Sequence, residues 1–148
     1  MNTDAPLYTV RAATESDAPE IARLLSQLGH PTVAPAIVSR WNEWIAAGNV
    51  ALVVSGENGS LLGTATLHHM VVLHRPKPVG RITALVVDEP ARGKGVGRAL
   101  VAAAEASLAR AGCGLLEITS NARLTDAHAF YEHLGYQRTS ARFAKTIG

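Results

Sequence analysis

Apolar residues in this chain fall into short runs whose period changes along its length, and the changes mark the elements. Leu7, Val10 and Ala12 interleave with Tyr8, Thr9 and Arg11, the half-alternation of a short strand. Thr14-Glu15-Ser16-Asp17 follows, with the hydroxyl and carboxylate side chains that cap helix starts. Ile21, Leu24, Leu25 and Leu28 then recur at helical spacing; Pro19 fits only a first turn, and Gly29-His30-Pro31 predicts the stop. Ile37, Val38, Trp41, Trp44 and Ile45 share one face of a second helix closed by Gly48-Asn49, and the two tryptophans are expected to pack inward.

Apolar and β-branched residues dominate Val50 to Val54 and Leu61 to Leu73, and Gly56-Glu57-Asn58-Gly59 between them predicts a hairpin turn. His74 to Pro78 reads as a loop because of its prolines, and the strand after it, Ile82 to Val87, is expected to be buried on both faces. Gly93 to Ala111 is nearly continuous helix former, with Val96, Leu100, Val101, Ala104 and Leu108 on one side and Gly112 at the end. A strand at Leu115 to Thr119 comes next. A short helix carrying Ala127, Phe130, Tyr131 and Leu134 then runs up to Gly135, and a last strand over Gln137 to Lys145 completes the order. That order joins an antiparallel meander to a crossover helix between parallel strands, so the fold class is α+β, or mixed α/β.

Composition narrows the picture only slightly. At 148 residues and 47% hydrophobic content, the chain suits a single domain over residues 1–148. No apolar run approaches the ~18 to 20 residues that span a bilayer. Met1 to Pro6 lack the basic and apolar regions of a secretory signal, so the expectation is a cytoplasmic protein with no membrane partner. The lone Cys113 reads as a small packing residue rather than a nucleophile. A net charge of +2 is too weak a field to favour nucleic acid, and aromatic residues for base stacking are few.

Chemistry concentrates between Val86 and Arg98. There a buried strand runs through Asp88-Glu89-Pro90-Ala91-Arg92-Gly93-Lys94-Gly95-Val96-Gly97-Arg98 straight into a long helix. A helix start leaves N–H groups unpaired and carries partial positive charge, glycines let an anion approach the backbone, and Arg92, Lys94 and Arg98 add cations. A phosphate or pyrophosphate fits this loop. The Walker motif is excluded because no lysine followed by serine or threonine ends the run. The dinucleotide fingerprint fails because position 98 is arginine where glycine is required.

The remaining pattern, R-x-x-G-x-G at Arg92, Gly95 and Gly97, resembles the pyrophosphate loop of the GNAT superfamily of N-acetyltransferases. A second segment agrees: Asn121 after a strand, then Ala127, Phe130, Tyr131, Gly135 and Tyr136, is similar to that family's N-x-A-x-x-F-Y-x-x-x-G-F/Y stretch. The element order matches as well, so the resemblance covers a core of residues 7–147. It implies a central mixed, mostly antiparallel sheet of six to seven strands flanked by about four helices, and acetyl-CoA as cosubstrate without a metal.

The resemblance also implies roles. Backbone at Leu85, Val86 and Val87 would pair with the pantetheine arm, with an amide near Val86 or Val87 polarising the thioester carbonyl. The N–H groups of Arg92, Gly93, Lys94, Gly95, Val96, Gly97 and Arg98 would hold the pyrophosphate. Tyr131 would protonate the departing thiolate, and Asn121 would touch the cofactor or its ordered water. Many relatives carry a glutamate just after the isoleucine of the loop-bearing strand, where this chain has Thr83 after Ile82. The general base is therefore open among Glu117, His68, His69, His74 and water.

The histidines do not suggest a metal site, since His68 and His69 should point to opposite strand faces, and His128 and His133 are badly spaced on a helix. Trp41 and Trp44 would either line the acceptor pocket or pack in the core. The acceptor implied is a primary amine, of a small molecule by the family's habit. A regulatory module that binds acetyl-CoA without turnover, or a peptide N-acetyltransferase, is the alternative. Homodimers are common in the family, and the open sheet edges would permit one.

Overall fold

The computed structural model describes residues 8–120 and 124–148. In chain order these form β1 (Tyr8–Ala12), α1 (Ala18–Gln27), α2 (Ala34–Ala46), β2 (Val50–Gly56), β3 (Leu61–Met70), β4 (Val79–Val87), α3 (Val96–Arg110), β5 (Leu115–Ile118) and α4 (Thr125–His133). Single 3-10 turns at Glu15–Asp17 and Glu89–Ala91 precede α1 and the loop to α3. The chain divides into two compact units, one up to Glu117 and one from Ile118 onward. No helix among the described residues is long and apolar enough to cross a membrane.

In the first unit the sheet order is β1-β2-β3-β4-β5, with antiparallel pairing from β1 through β4. β5 runs the other way relative to that pattern. Gly114 N–H donates to the Pro78 carbonyl at 3.0 Å and Arg81 Nη2 to Glu117 Oε2 at 2.8 Å. Both ties join residues 36 positions apart, so the two strands advance together, as expected when a helix supplies the crossover.

Each face of the sheet carries its own layer. On one face α1 buries Ile21 and Leu24 against Val53, Leu61 and Val86, with Ile37 and Trp41 of α2 packed at the margin. On the other, α3 buries Val96, Leu100, Val101, Ala104 and Leu108. The helix sits close because the strands beneath it carry glycine. A Cβ at Gly63 would lie 3.0 Å from Leu100 Cδ1, and one at Gly80 would lie 2.9 Å from Leu108 Cδ1 and 3.1 Å from Cys113 Sγ. Cys113 is thus a packing residue under α3.

One irregularity decides the facing of β4. Thr66 pairs with Ala84 but Leu67 pairs with Ile82, so Thr83 is an extra residue in a β-bulge. Its hydroxyl lies 2.7 Å from that of Thr66 and donates to the Thr66 carbonyl at 3.1 Å. The expectation that this strand is buried on both faces is corrected here, since Thr83 is exposed.

Other expectations shift for physical reasons. Helix α3 begins at Val96 rather than Gly93, because Gly93 and Gly95 adopt φ of +78° and +86°. The apolar stripe of α2 is wider than the face it buries, leaving Val38 and Ile45 exposed, while Trp41 and Trp44 pack on each other with ring centroids 5.7 Å apart. Among the described residues the sheet has five strands rather than six or seven. No strand forms over 137–145: a strand exists by pairing, and the segment makes no main-chain pair among the described residues, with Phe143 93% exposed.

Candidate active site

β4 delivers the chain at Asp88 into the 3-10 turn at Glu89–Ala91, and Arg92 continues extended before the two left-handed glycines. Within hydrogen-bonding geometry, no main-chain carbonyl among the described residues accepts from the N–H groups of Gly93 through Arg98; the first bond into α3 is Ala99 N–H to the Gly95 carbonyl at 3.0 Å. The concavity in front of them is open. A Cβ at Gly93 would meet nothing within 4 Å, and one at Gly95 would meet only the Tyr8 hydroxyl, at 3.8 Å. Arg92, Lys94 and Arg98 are exposed around it. Unpaired amides, a helix axis and three cations make an anion receptor.

The loop is anchored by a polar network that no local pattern announces. Arg23 of α1 donates to Glu20 through Nε (2.9 Å), to Asp88 through Nη1 (2.9 Å) and to the Leu61 carbonyl (3.0 Å). Gln27 donates to Asp88 at 2.8 Å and accepts from the Glu89 amide at 3.2 Å, while Glu20 accepts from the Leu61 amide at 3.1 Å. Burial pushes the Asp88 carboxyl up, but hydrogen bonds from Gln27 and Arg23 outweigh it and leave the pKa below the usual carboxylate range. Glu20 is also held low, chiefly by Arg23.

Beside the loop, no strand among the described residues pairs with the outer edge of β4 over its C-terminal half. Asp88 N–H donates to the Leu62 carbonyl at 2.7 Å, and antiparallel alternation then points the main chain of Val86 and Ala84 toward β3 and that of Leu85 and Val87 away from it. The Val87 carbonyl accordingly accepts from Arg92 Nε at 3.1 Å. β5 is four residues long and its Glu117 stands beside Arg81, so the strand ends before reaching Leu85. Val86 cannot take the main-chain role expected of it: its amide faces β3 and its side chain is buried against α1. An extended, amide-bearing ligand with a phosphate at one end fits this edge and loop together.

Residues 18–136 match the profile of the acetyltransferase (GNAT) family. This chain belongs to that family. It is an acetyl-CoA-dependent N-acetyltransferase, and its relatives agree in class. It is similar to an aminoalkylphosphonate N-acetyltransferase of Salmonella typhimurium, with 32% identity covering 96% of this chain and 93% of that protein. It is also similar to an aminoglycoside N(6')-acetyltransferase type 1 of Stenotrophomonas maltophilia, with 33% identity covering 88% of this chain and 87% of that protein. A Trypanosoma brucei acetyltransferase superposes with a TM-score of 0.83 and 26% identity, covering 95% of this chain and 99% of that one.

The second segment that suggested a GNAT protein lies in the second unit. Asn121 falls outside the described residues. Tyr131, on α4, is flanked by Phe130 and Tyr136, with ring centroids at 5.5 and 6.4 Å, and burial pushes its hydroxyl pKa up. Gly135 closes the helix, letting the Tyr136 amide donate back to the Tyr131 carbonyl at 3.0 Å. The aromatic pair and that closure fix the side chain from both directions. Arg138 contacts His128 Nδ1 at 3.1 Å and Glu132 at 3.6 Å.

Of the open candidates for a base in this GNAT chain, Glu117 is engaged by Arg81. His68 stands opposite Arg81 in the strand register, and His69 opposite Gly80. Their rings approach to 6.4 Å at the end of β3 despite opposite facing. Among the described residues there is no cluster of three or more potential metal ligands.

Proposed function

We propose that this GNAT protein transfers the acetyl group of acetyl-CoA to the primary amine of a small molecule by direct attack in a ternary complex. The observation that carries this reading is the run of unpaired amides from Gly93 to Arg98 lying beside the free outer edge of Leu85 and Val87. When bound, the cosubstrate supplies an activated acetyl thioester. The chain's own part is to hold it: amides Gly93 to Arg98, with the Arg92, Lys94 and Arg98 cations, take the pyrophosphate, and main-chain groups of Leu85 and Val87 pair with the pantetheine arm. An outward amide at Leu85 or Val87 is the oxyanion donor in place of Val86.

Tyr131 holds its proton at Oη through neutral pH because burial disfavours the phenolate, and it gives that proton to the departing thiolate. Asn121 contacts the cosubstrate or its ordered water. A small-molecule acceptor is supported by the two relatives, which act on aminoalkylphosphonates and aminoglycosides by name.

The test is free-thiol release from acetyl-CoA with a panel of polyamines, amino acids, aminoalkylphosphonates, aminoglycosides, arylamines and short peptides. Release with a small amine is expected. Binding of acetyl-CoA by calorimetry with no release from any amine would favour a regulatory module instead, and release with peptides alone would redirect the acceptor to proteins.

A further inference from the structure

His68 and Arg81 face each other across β3 and β4. Among the described residues, His68 Nδ1 and Arg81 Nε are the buried side-chain polar atoms that lack a hydrogen-bond partner. The two orphans are therefore one place in the fold. Arg81 continues the row outward, donating from Nη2 to Glu117 Oε2 of β5 at 2.8 Å. That is the single side-chain hydrogen bond it makes among the described residues, although a guanidinium carries five N–H donors. With its side chain 40% exposed, Arg81 keeps unused donors within reach of a ligand.

The row sits on a definite side of the sheet. A Cβ at Gly80 would run into Leu108 and Cys113, so Gly80 faces α3 and Arg81 faces the opposite side, the one covered by α1 and α2. The paired hydroxyls of Thr66 and Thr83 lie next along β4 in the direction of its free edge at Leu85. Three carboxylates of this unit are already matched, Glu117 by Arg81 and Glu20 and Asp88 by Arg23. A polycation would meet an arginine and a histidine there, whereas an oxyanion would meet unsatisfied donors.

Resting on the acetyltransfer reading above, we propose that Arg81 determines acceptor specificity by receiving an acidic group. The acceptor class is then a small zwitterionic amine carrying a phosphonate, phosphate or carboxylate. A planar guanidinium grips such oxyanions through two parallel N–H bonds, which lysine cannot reproduce. Glu117 is a positioning residue that holds the guanidinium from one side. His68 Nδ1 and Arg81 Nε gain partners when the oxyanion draws the guanidinium toward it.

The experiment compares kcat/KM for amines of matched length ending in phosphonate, carboxylate or hydroxyl, with an aminoglycoside beside them, in the wild-type protein, Arg81→Ala and Arg81→Lys. The wild type is expected to prefer an acidic amine over the alcohol by about 10- to 100-fold. The two acidic arms tell phosphonate from carboxylate. Arg81→Ala should erase most of that preference through KM, and Arg81→Lys should retain only part of it. Methylphosphonate or acetate, which lack an amine, should compete with the acceptor in the wild type and lose that competition in Arg81→Ala. Preference for the alcohol or the aminoglycoside, or an equal loss on every amine in Arg81→Ala, overturns the inference while leaving acetyl transfer intact. If Arg81→Ala does not fold, Arg81→Lys and competition in the wild type still decide. No thiol release with any amine would strike at the transfer reading itself.

Discussion

Arg23 Nη1 donates to Asp88 Oδ1 at 2.9 Å across 65 residues of sequence. The bond fastens the first helix of the sheet's front layer to the point where β4 turns into the glycine loop. The loop glycines carry no side chains to fix their own path, so this fastening supplies the rigidity they lack.

Asp88→Asn is expected to lower stability by about 1–2 kcal/mol and to raise KM for acetyl-CoA several-fold, because the network holding the loop start is weakened. Arg23→Met should cost more than Asp88→Asn, since it leaves Glu20 and Asp88 facing each other without their shared cation. Urea titration of the single and double variants checks this; additive losses would show that the two residues do not act together.

Acid should unfold the protein through the same groups. Asp17, held chiefly by Arg11 at 2.8 and 2.9 Å, Glu20 and Asp88 all have pKa values below their unfolded ones. Their contribution is present in full above the unfolded carboxylate pKa and is lost as the pH falls through the folded values. Denaturant midpoints should be level between about pH 6 and 7 and fall below about pH 4, with a shallower fall in Asp17→Asn.

Gly95→Ala places a Cβ on a left-handed residue at φ +86°, at a strain of roughly 1–2 kcal/mol. Because the same residue opens α3 and the anion receptor, the substitution should weaken acetyl-CoA binding in calorimetry more than it lowers the melting temperature. Gly93→Ala has open space around it but the same left-handed geometry, so it should show strain without a clash.

Tyr131→Phe is expected to lower kcat by about 10²-fold or more and to leave KM for acetyl-CoA nearly unchanged. Since burial raises the Tyr131 pKa, the hydroxyl should not limit the rate anywhere between pH 7 and 9. Wild-type turnover in the phenylalanine variant would remove Tyr131 from the reaction.

Much of this was legible in sequence because it is written locally. The apolar and β-branched run read over Leu61 to Leu73, of which Leu61–Met70 forms β3, the helical spacing of Val96, Leu100, Val101 and Leu108, and the glycine after each helix announce their elements without reference to anything distant. The glycine loop was legible for the same reason: Arg92, Gly95 and Gly97 fall within one stretch of six residues. Long-range pairings were not. Nothing near Arg23 points to Asp88, and the strand expected over 137–145 had an adequate pattern but no partner, which a pattern cannot report. Val86 was placed in the site with Leu85 and Val87 because main-chain direction depends on pairing with Leu62 and Gly63 rather than on residue type.

The extra residue at Thr83 sets the odd-even parity of everything after it in β4. With it, Val86 turns into the layer beneath α1, and Gly63 and Val87 share the α3 side. Pairing Thr83 regularly with Thr66, without the bulge, would instead invert the strand, sending Val86 toward α3 and Val87 and Leu85 toward α1. Substitutions at this exposed position should then be borne easily, and a single-codon deletion, which leaves Ile82 and Ala84 consecutive opposite Leu67 and Thr66, should keep every later side chain on its face. In a lineage of such chains the spacing from Ile82 to the glycine loop could shorten by this one residue without turning the strand over.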